Sequence, residues 1–377
     1  MRPRAAGGIG EAFAIRGEPM KAAVTRAFGA PLVIEELNLA APGPGEVRVR
    51  MKAVAICHSD LIFIAGGWGG TPPAVYGHEA AGEVVQVGPG VEGLAPGDRA
   101  VVTLIRSCGH CPCCARGQRT YCTEPFPLNA ATPLRDAAGA PVLQGLKCGA
   151  FAEEVVVHHS QIARIGGGIG WAEASLLACG VITGWGAVAN TAEMPAGATA
   201  VVIGAGGVGI NSVQAAAHRG AARVIVVDPS AEKREIALGF GATDCLPVGA
   251  ETASNVRAMT SGGADFVFVT VGNTGAMAQA YEMLAPGGAA VLVGMGRLGE
   301  TSTFDPLTLA DAGQRILGSK MGKSTPQIDI PALLSLYEAG TLKLDELVTG
   351  RFPFAEINAA LDRTRAGIGV RNVVLFD

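Results

Sequence analysis

Hydrophobic and polar positions change rhythm once along this chain. From Ala22 to about His158, short runs alternate between apolar and polar residues, as in Val47-Arg48-Val49-Arg50-Met51 and Glu83-Val84-Val85-Gln86-Val87. Pro-Gly pairs at positions 42, 44, 89 and 96 punctuate them. Period-two alternation between turn residues predicts antiparallel sheet carrying long loops. After about residue 184 the runs become continuous and alternate with helical stretches. Ala200–Ile203 predicts a buried strand, 211–219 a helix, 223–227 a strand and 232–238 a helix, with further apolar strands at 265–269 and 289–293. Buried strands separated by helices predict a parallel sheet covered on both faces. The last fifty residues return to mixed character, with an amphipathic helix at 354–365 and a closing strand at 372–376. The fold class expected is therefore α/β with a separate β-rich domain. The length of 377 residues agrees, since a domain usually holds roughly 100–200.

Composition narrows the function classes. Hydrophobic residues at 49% against charged residues at 16% exclude intrinsic disorder. A balance of 29 basic and 33 acidic residues offers no electrostatic case for nucleic acid or an anionic membrane. No uninterrupted run of ~18 apolar residues occurs, so no membrane span is expected. Residues 1–19 hold a short apolar stretch broken by Glu11, which is no secretory signal, and are expected to be a poorly ordered extension before a natural start at Met20.

The nine cysteines form no obvious disulfide framework, being odd in number, and five crowd into residues 108–122. Cys108-x2-Cys111-x2-Cys114-x7-Cys122 offers four thiolates from one local loop, which is what a closed tetrahedral zinc site requires. With no open position such a zinc would be structural. Cys113 falls outside the regular spacing. Farther on, Gly204-Ala205-Gly206-Gly207-Val208-Gly209 follows a buried strand and opens a helix, and a second strand ends in Asp228. This context reads as a dinucleotide site: Gly204, Gly206 and Gly209 let the backbone approach a pyrophosphate that Gly207, Val208 and the helix N-terminus meet with amide hydrogens. Asp228 can accept both ribose hydroxyls and would repel a 2′-phosphate, which favours NAD over NADP.

Three isolated segments remain: Cys57-His58-Ser59-Asp60, Gly77-His78-Glu79, and Cys179-Gly180 followed by Thr183-Gly184. Together with the two motifs above and the closing Leu344-Asp345-Glu346-Leu347-Val348-Thr349 and Arg371 segments, they occur in the order seen in the zinc-containing medium-chain alcohol dehydrogenases, which this sequence resembles from about Met20 to Phe376. The resemblance implies a doubly wound Rossmann domain over 184–323 and a GroES-like catalytic domain over 20–183 and 324–377. It implies a catalytic zinc on Cys57, His78 and Cys179, the two-cysteine, one-histidine ligand set for which alcohol dehydrogenases are known, hence two zinc ions per chain. Asp60 would fix the tautomer of His78, Glu79 would lie close enough to be an occasional ligand, and Ser59 would touch the alcohol proton. His58 and Arg371 would meet the pyrophosphate and Lys233 the adenosine ribose. Ile62 stands where liver-type members carry the histidine that ends their proton relay.

By position along the family pattern, Trp68, Leu104, Leu146 and Met295 should line an apolar, partly aromatic pocket suited to hydrophobic or aryl alcohols. The expected reaction is reversible hydride transfer between a primary or secondary alcohol and NAD, giving an aldehyde or ketone. Alternatives are an S-(hydroxymethyl)glutathione or formaldehyde dehydrogenase, a polyol dehydrogenase, for which Glu153 is a faint acidic echo, and a non-catalytic NAD-binding protein. The stretch 123–146 resembles the insertion of the dimeric branch, so a homodimer is expected. Six thiolates serving metals suit a reducing cytoplasm.

Overall fold

The computed structural model describes residues 18–377. Of the expected extension, residues 1–17 lie outside the described residues. Glu18 and Pro19, counted with it, instead open the first strand, Glu18–Val24, opposite Leu39 and Asn38.

Two sheets build the β-rich part. A seven-stranded sheet runs Ile162–Arg164, Arg99–Val102, Glu79–Val87, Glu46–Ala55, Arg371–Leu375, Val348–Pro353, with Glu154–His158 also paired to Glu46–Ala55. Its two C-terminal strands show that the chain returns to this sheet after leaving it. A smaller five-stranded sheet joins Glu18–Val24 and Val33–Leu39 to Leu134–Arg135, Pro141–Gln144 and Ala74–Val75. The stretch 123–146 thus supplies two short strands to this sheet.

The third sheet is parallel, ordered Asp244–Leu246, Arg223–Val227, Thr199–Ile203, Ala264–Val269, Leu284–Leu292, Arg315–Gly318. In sequence order this is 3-2-1-4-5-6, the doubly wound arrangement, whose strand order reverses at Thr199–Ile203. Elements begin earlier than periodicity predicts. The strand expected from 289 starts at Leu284, across Pro286, Gly287 and Gly288, and the helix expected from 211 is Gly207–His218. The helix expected over 354–365 splits into a 3-10 turn, Phe354–Glu356, and Ile357–Arg365.

One helical run, Trp171–Thr191, links the two halves. By length and composition it could cross a membrane, yet nearly all of it is buried inside the protein. It is therefore a core helix. Leu176, Leu177 and Ile182 are almost fully buried, and each such side chain contributes about 1.5–3 kcal/mol. Its first turns pack on strands Glu46–Ala55 and Glu79–Val87, and its later turns on helix Gly207–His218. The residues it carries therefore face both halves.

Candidate active site and metal centres

Cys57 follows the strand Glu46–Ala55 by two residues and caps the short helix His58–Ile64, so it and the first turn lie beyond the C-terminal end of a central strand of the seven-stranded sheet. Asp60 is buried on that turn. One of its oxygens, Oδ2, accepts the Cys57 amide at 3.0 Å; Oδ1 accepts the Gly77 amide at 3.0 Å and lies 2.9 Å from His78 Nδ1. This carboxylate thus ties the loop carrying Cys57 to the loop carrying His78. With Nδ1 donating to Asp60, His78 Nε2 presents a lone pair, and that atom is buried with no hydrogen-bond partner. An orphan of this kind costs about 1–3 kcal/mol unless something fills it.

The same spot gathers more donors. Ligand atoms of Cys57, His78, Glu79 and Cys179 all lie within 4.8 Å of one another, and all four residues are buried. Cys179 arrives from the core helix on a π-helical turn, Leu177–Val181, a distortion common at functional sites. The hydrogen bond to Cys179 holds the Cys57 thiol well below its ordinary pKa, while the same contact and then burial push Cys179 well above. Burial opposes the imidazolium of His78, but the Asp60 carboxylate by charge and hydrogen bond, with Cys57, overcomes that penalty and raises its pKa well above the usual value. These groups together make a field that favours a cation. Two thiols, an imidazole nitrogen and a flanking carboxylate are zinc chemistry, so the residues fit such an ion.

Ser59 Oγ lies 3.7 Å from Cys57 Sγ. Glu79 is fully buried; one oxygen meets Arg371 and the other has no partner. Burial raises its pKa to about 7 against the pull of Arg371.

The four clustered cysteines also converge. Cys108, Cys111, Cys114 and Cys122 place their sulfurs within 4.8 Å of one another, with individual separations of 3.9, 3.8 and 3.7 Å. A tetrahedral ion with bonds of about 2.3 Å to sulfur spaces its ligands roughly 3.8 Å apart. Amide hydrogens of Cys114 and Thr123 pull Cys111 down to about 5, whereas burial pushes Cys114 up to about 12. Cys113 stays outside the cluster, near Arg116. His110 is exposed, with Nε2 3.6 Å from Glu124.

The glycine turn is joined to the Cys57, His78, Glu79 and Cys179 group through Arg371, which packs on Gly207 and pairs with Glu79. Gly204 sits at φ +99°, and a Cβ on Gly209 would overlap the Gly204 carbonyl, so the turn closes only with glycine. Helix Gly207–His218 starts there, and its first amides have no partner within the helix. Asp228 accepts the Ala205 amide at 2.7 Å and the Ser230 amide at 2.8 Å, which holds the end of the second strand against the turn. Arg371 is buried and packs against both Gly207 and Gly180. Desolvation lowers the His58 pKa against the opposing pull of Cys57, and the positive charges of Arg371 and Lys233, both within electrostatic reach, lower it further. Two cationic side chains and an imidazole near a helix N-terminus fit a pyrophosphate. Arg371 stands differently from the sequence reading in one respect: its guanidinium is already paired with Glu79.

The four pocket residues divide. Trp68 Nε1 donates to the Gly296 carbonyl at 2.9 Å, so Trp68 meets the loop of Met295, which is 57% exposed. Leu104 packs against both large cores. Leu146, at φ +50°, lines a cavity with Phe63, Tyr76, Arg106 and Lys147. Glu153 accepts the Lys21 amide at 2.7 Å on the sheet surface and lies outside the metal-competent groups found among the described residues. Sequence reasoning missed Met321, whose Sδ lies 3.7 Å from Cys179 Sγ and 3.6 Å from Thr183 Oγ1. It rides a turn in which Met321, Gly322 and Lys323 all have positive φ, a shape with no sequence signature.

Comparison with known proteins agrees with this geometry. The alcohol dehydrogenase GroES-like domain model matches residues 43–167, and the zinc-binding dehydrogenase model matches residues 207–339. An NDMA-dependent alcohol dehydrogenase of Amycolatopsis methanolica is 38% identical over 94% of this chain and 98% of its own length. Among solved structures, an alcohol dehydrogenase zinc-binding domain protein from Burkholderia ambifaria superposes with a TM-score of 0.91 at 34% identity, covering 96% of this chain and 99% of that one. Benzyl alcohol dehydrogenase from Acinetobacter calcoaceticus gives 0.89 at 30% identity, covering 96% and 100%.

Proposed function

We propose that this chain, which belongs to the zinc-containing medium-chain alcohol dehydrogenase family, oxidises hydrophobic or aryl alcohols reversibly with NAD as hydride acceptor. The observation that carries the reading is the buried, unpartnered His78 Nε2 amid Cys57, Cys179 and Glu79, beside a cationic glycine turn. The catalytic domain would comprise 20–183 and 324–377 and the nucleotide domain 184–323, a division supported by sheet membership. Similarity to a benzyl alcohol dehydrogenase supports the aryl preference.

Cys57, His78 and Cys179 would hold the catalytic zinc, and Cys108, Cys111, Cys114 and Cys122 the structural one. When bound, the catalytic zinc supplies Lewis acidity that eases loss of an alcohol proton, and the nicotinamide supplies the hydride acceptor. Asp60 keeps the Nδ1 proton of His78 in place, which leaves Nε2 free to bind. Ser59 Oγ, on the first turn of its helix, takes the hydroxyl proton of the alcohol and passes it toward solvent. Ile62 offers no group for a further step, so Ser59 would be the last side chain of this chain to handle that proton. His58, Lys233, Arg371 and the amides from Gly207 hold the dinucleotide phosphates and ribose, and Asp228 accepts from the ribose hydroxyls. Trp68, Leu104 and Met295 would shield the reacting carbon from water, with Leu146 farther out. Glu79, set against Arg371, would respond to charge at the metal.

Replacing Ser59 by alanine should lower turnover by about 10²-fold, the lower range for a positioned proton-transfer group, with zinc content unchanged. Near-normal turnover in a stopped or coupled NADH assay would remove Ser59 from the relay. A homodimer and a cytoplasmic setting belong to the same proposal, the latter supported by the six cysteines of the two metal-competent groups, whose thiols need a reducing setting.

The deciding experiment measures zinc content and kcat/KM over short, long, aryl and polyol alcohols with NAD and with NADP. Two zinc ions, NADH formation and highest kcat/KM on aryl or long alkyl alcohols are expected. Zinc without turnover would indicate a binding protein, polyols preferred would indicate the rival branch, and a preference for NADP would overturn the role of Asp228.

A further inference from the structure

Beside the four-cysteine lobe stands a second set of metal donors that shares one of its sulfurs. Ligand atoms of Cys108, His110 and Glu124 lie within 4.8 Å of one another. His110 falls between Cys108 and Cys111, on the turn where Gly109 takes φ +82°, and Glu124 follows Cys122 by two residues, so both flank the lobe. The two sets differ in exposure. The side chains of His110 and Glu124 are 74% and 38% exposed and Cys108 is half-buried, whereas Cys111 and Cys114 are buried. Cys108 therefore belongs to an outer set and to an inner one.

The outer donors are oriented for a cation. His110 Nδ1 lies 3.1 Å from the Cys108 carbonyl, which can only accept, so this nitrogen carries the hydrogen and Nε2 of the neutral ring presents a lone pair. Nε2 faces Glu124 Oε2 at 3.6 Å. Two acceptors thus meet with no hydrogen between them, an arrangement that a metal ion satisfies. A tetrahedral zinc with bonds of about 2.0–2.2 Å to nitrogen and oxygen spaces such ligands roughly 3.4 Å apart. Stability gives the contact no task, since an exposed ion pair contributes little. The lobe, by contrast, poses a kinetic problem. Its thiols must lose their protons as the metal enters, and hydrated zinc must give up its waters in turn. Cys108 Sγ already faces the inner set: it accepts the Cys111 amide at 3.2 Å and lies 3.9 and 3.7 Å from the sulfurs of Cys114 and Cys122.

We propose that Cys108, His110 and Glu124 form an entry site where zinc first binds, with water in the fourth position, before it passes into the four-cysteine lobe. This rests on the assignment of a zinc to that lobe. One thiolate, one imidazole nitrogen and one carboxylate make a three-ligand set of the open kind that zinc accepts. The transfer is ligand exchange about a divalent ion that keeps its charge and its bond to Cys108. Cys111, Cys114 and Cys122 replace the imidazole, the carboxylate and the water, and their three protons go to the freed imidazole, the freed carboxylate and solvent. By microscopic reversibility the ion leaves along the same route, so exchange of bound zinc reads the entry site.

The test exchanges the zinc of the holoenzyme against an excess of isotopically enriched zinc and follows the isotope ratio of desalted samples by mass spectrometry. The exchange phase that Cys114→Ser lacks is the lobe's. His110→Ala should slow that phase about tenfold or more, the lower end of what losing a supporting group costs a metal site, and Glu124→Gln should slow it too. Both variants should keep two zinc ions, an unchanged melting temperature and an unchanged second phase. His110→Glu should recover most of the rate, because it restores a zinc donor. If the contact were only an ion pair, that variant would set two like charges together and exchange no faster than His110→Ala, which overturns the entry site. An unchanged lobe phase in His110→Ala overturns it as well, as does loss of a zinc equivalent there, which would make His110 a permanent ligand. A wild type without any phase that Cys114→Ser removes fails the lobe assignment itself, and the entry site with it; a normal lobe phase indifferent to His110 fails the entry site alone.

Discussion

Replacing His78 by alanine should remove one of two zinc equivalents and lower kcat by roughly 10³- to 10⁴-fold. The size follows from the chemistry at stake. A Lewis-acid metal is worth several kcal/mol to such a reaction, and each 1.36 kcal/mol is a factor of ten. His78 Nε2 is buried without a partner, so nothing else in the protein substitutes for what it binds. Asp60→Asn should give a milder version of the same loss, about 10- to 100-fold in metal affinity or activity, the usual range for a group that orients a ligand. Its carboxylate serves His78, the Cys57 amide and the Gly77 amide at once, so part of that loss should appear as a lower melting temperature. Metal analysis with steady-state kinetics separates the two variants. Full zinc content and near-wild-type kcat in His78→Ala would refute the ligand assignment.

Legibility in the sequence depended on how far apart the cooperating residues lie. The four-cysteine lobe is contained in fifteen residues, and spacing alone distinguishes Cys114 from Cys113; the sulfurs of the chosen four do converge. The nucleotide turn is equally local, since Gly204, Gly209 and the strand Arg223–Val227 that leads to Asp228 belong to one strand-helix-strand unit. Cys57, His78 and Cys179 come from two loops and a core helix, and only resemblance joined them beforehand. The pairing of Glu79 with Arg371, 292 residues apart, left no trace in either segment. Neither did the contact of Met321 with Cys179, which depends on a left-handed turn pressed against the core helix. Leu146 shows the limit of positional reasoning: its place in the family pattern is right for a pocket, yet the cavity it lines holds Arg106 and Lys147, whose charges no apolar pattern announces.

Cys114→Ser should cost one zinc equivalent and lower the melting temperature by about 10 °C, while Cys113→Ser should change neither. Structural zinc sites contribute about 10–16 kcal/mol in isolated fingers, but here the lobe is a small part of a long chain and most of that energy is local. If about 3 kcal/mol reaches global stability, the shift at roughly 2–4 °C per kcal/mol is near the stated size. The reason for a loss at all is electrostatic. Amide hydrogens pull the Cys111 thiol down to about 5 while burial pushes Cys114 up to about 12, so a cation among the four sulfurs would favour their ionising together. Oxygen in place of the Cys114 sulfur breaks that set, whereas Cys113 points to Arg116 and contributes nothing to it. The effect should reach the active site. The lobe's turn Arg119–Tyr121 packs against Met321–Lys323, and Met321 touches Cys179. A two- to tenfold fall in kcat is therefore expected in Cys114→Ser below its melting temperature, with the second zinc retained. Loss of zinc from Cys113→Ser instead would reassign the fourth ligand, and an unchanged kcat would show that the Met321 turn does not transmit the loss.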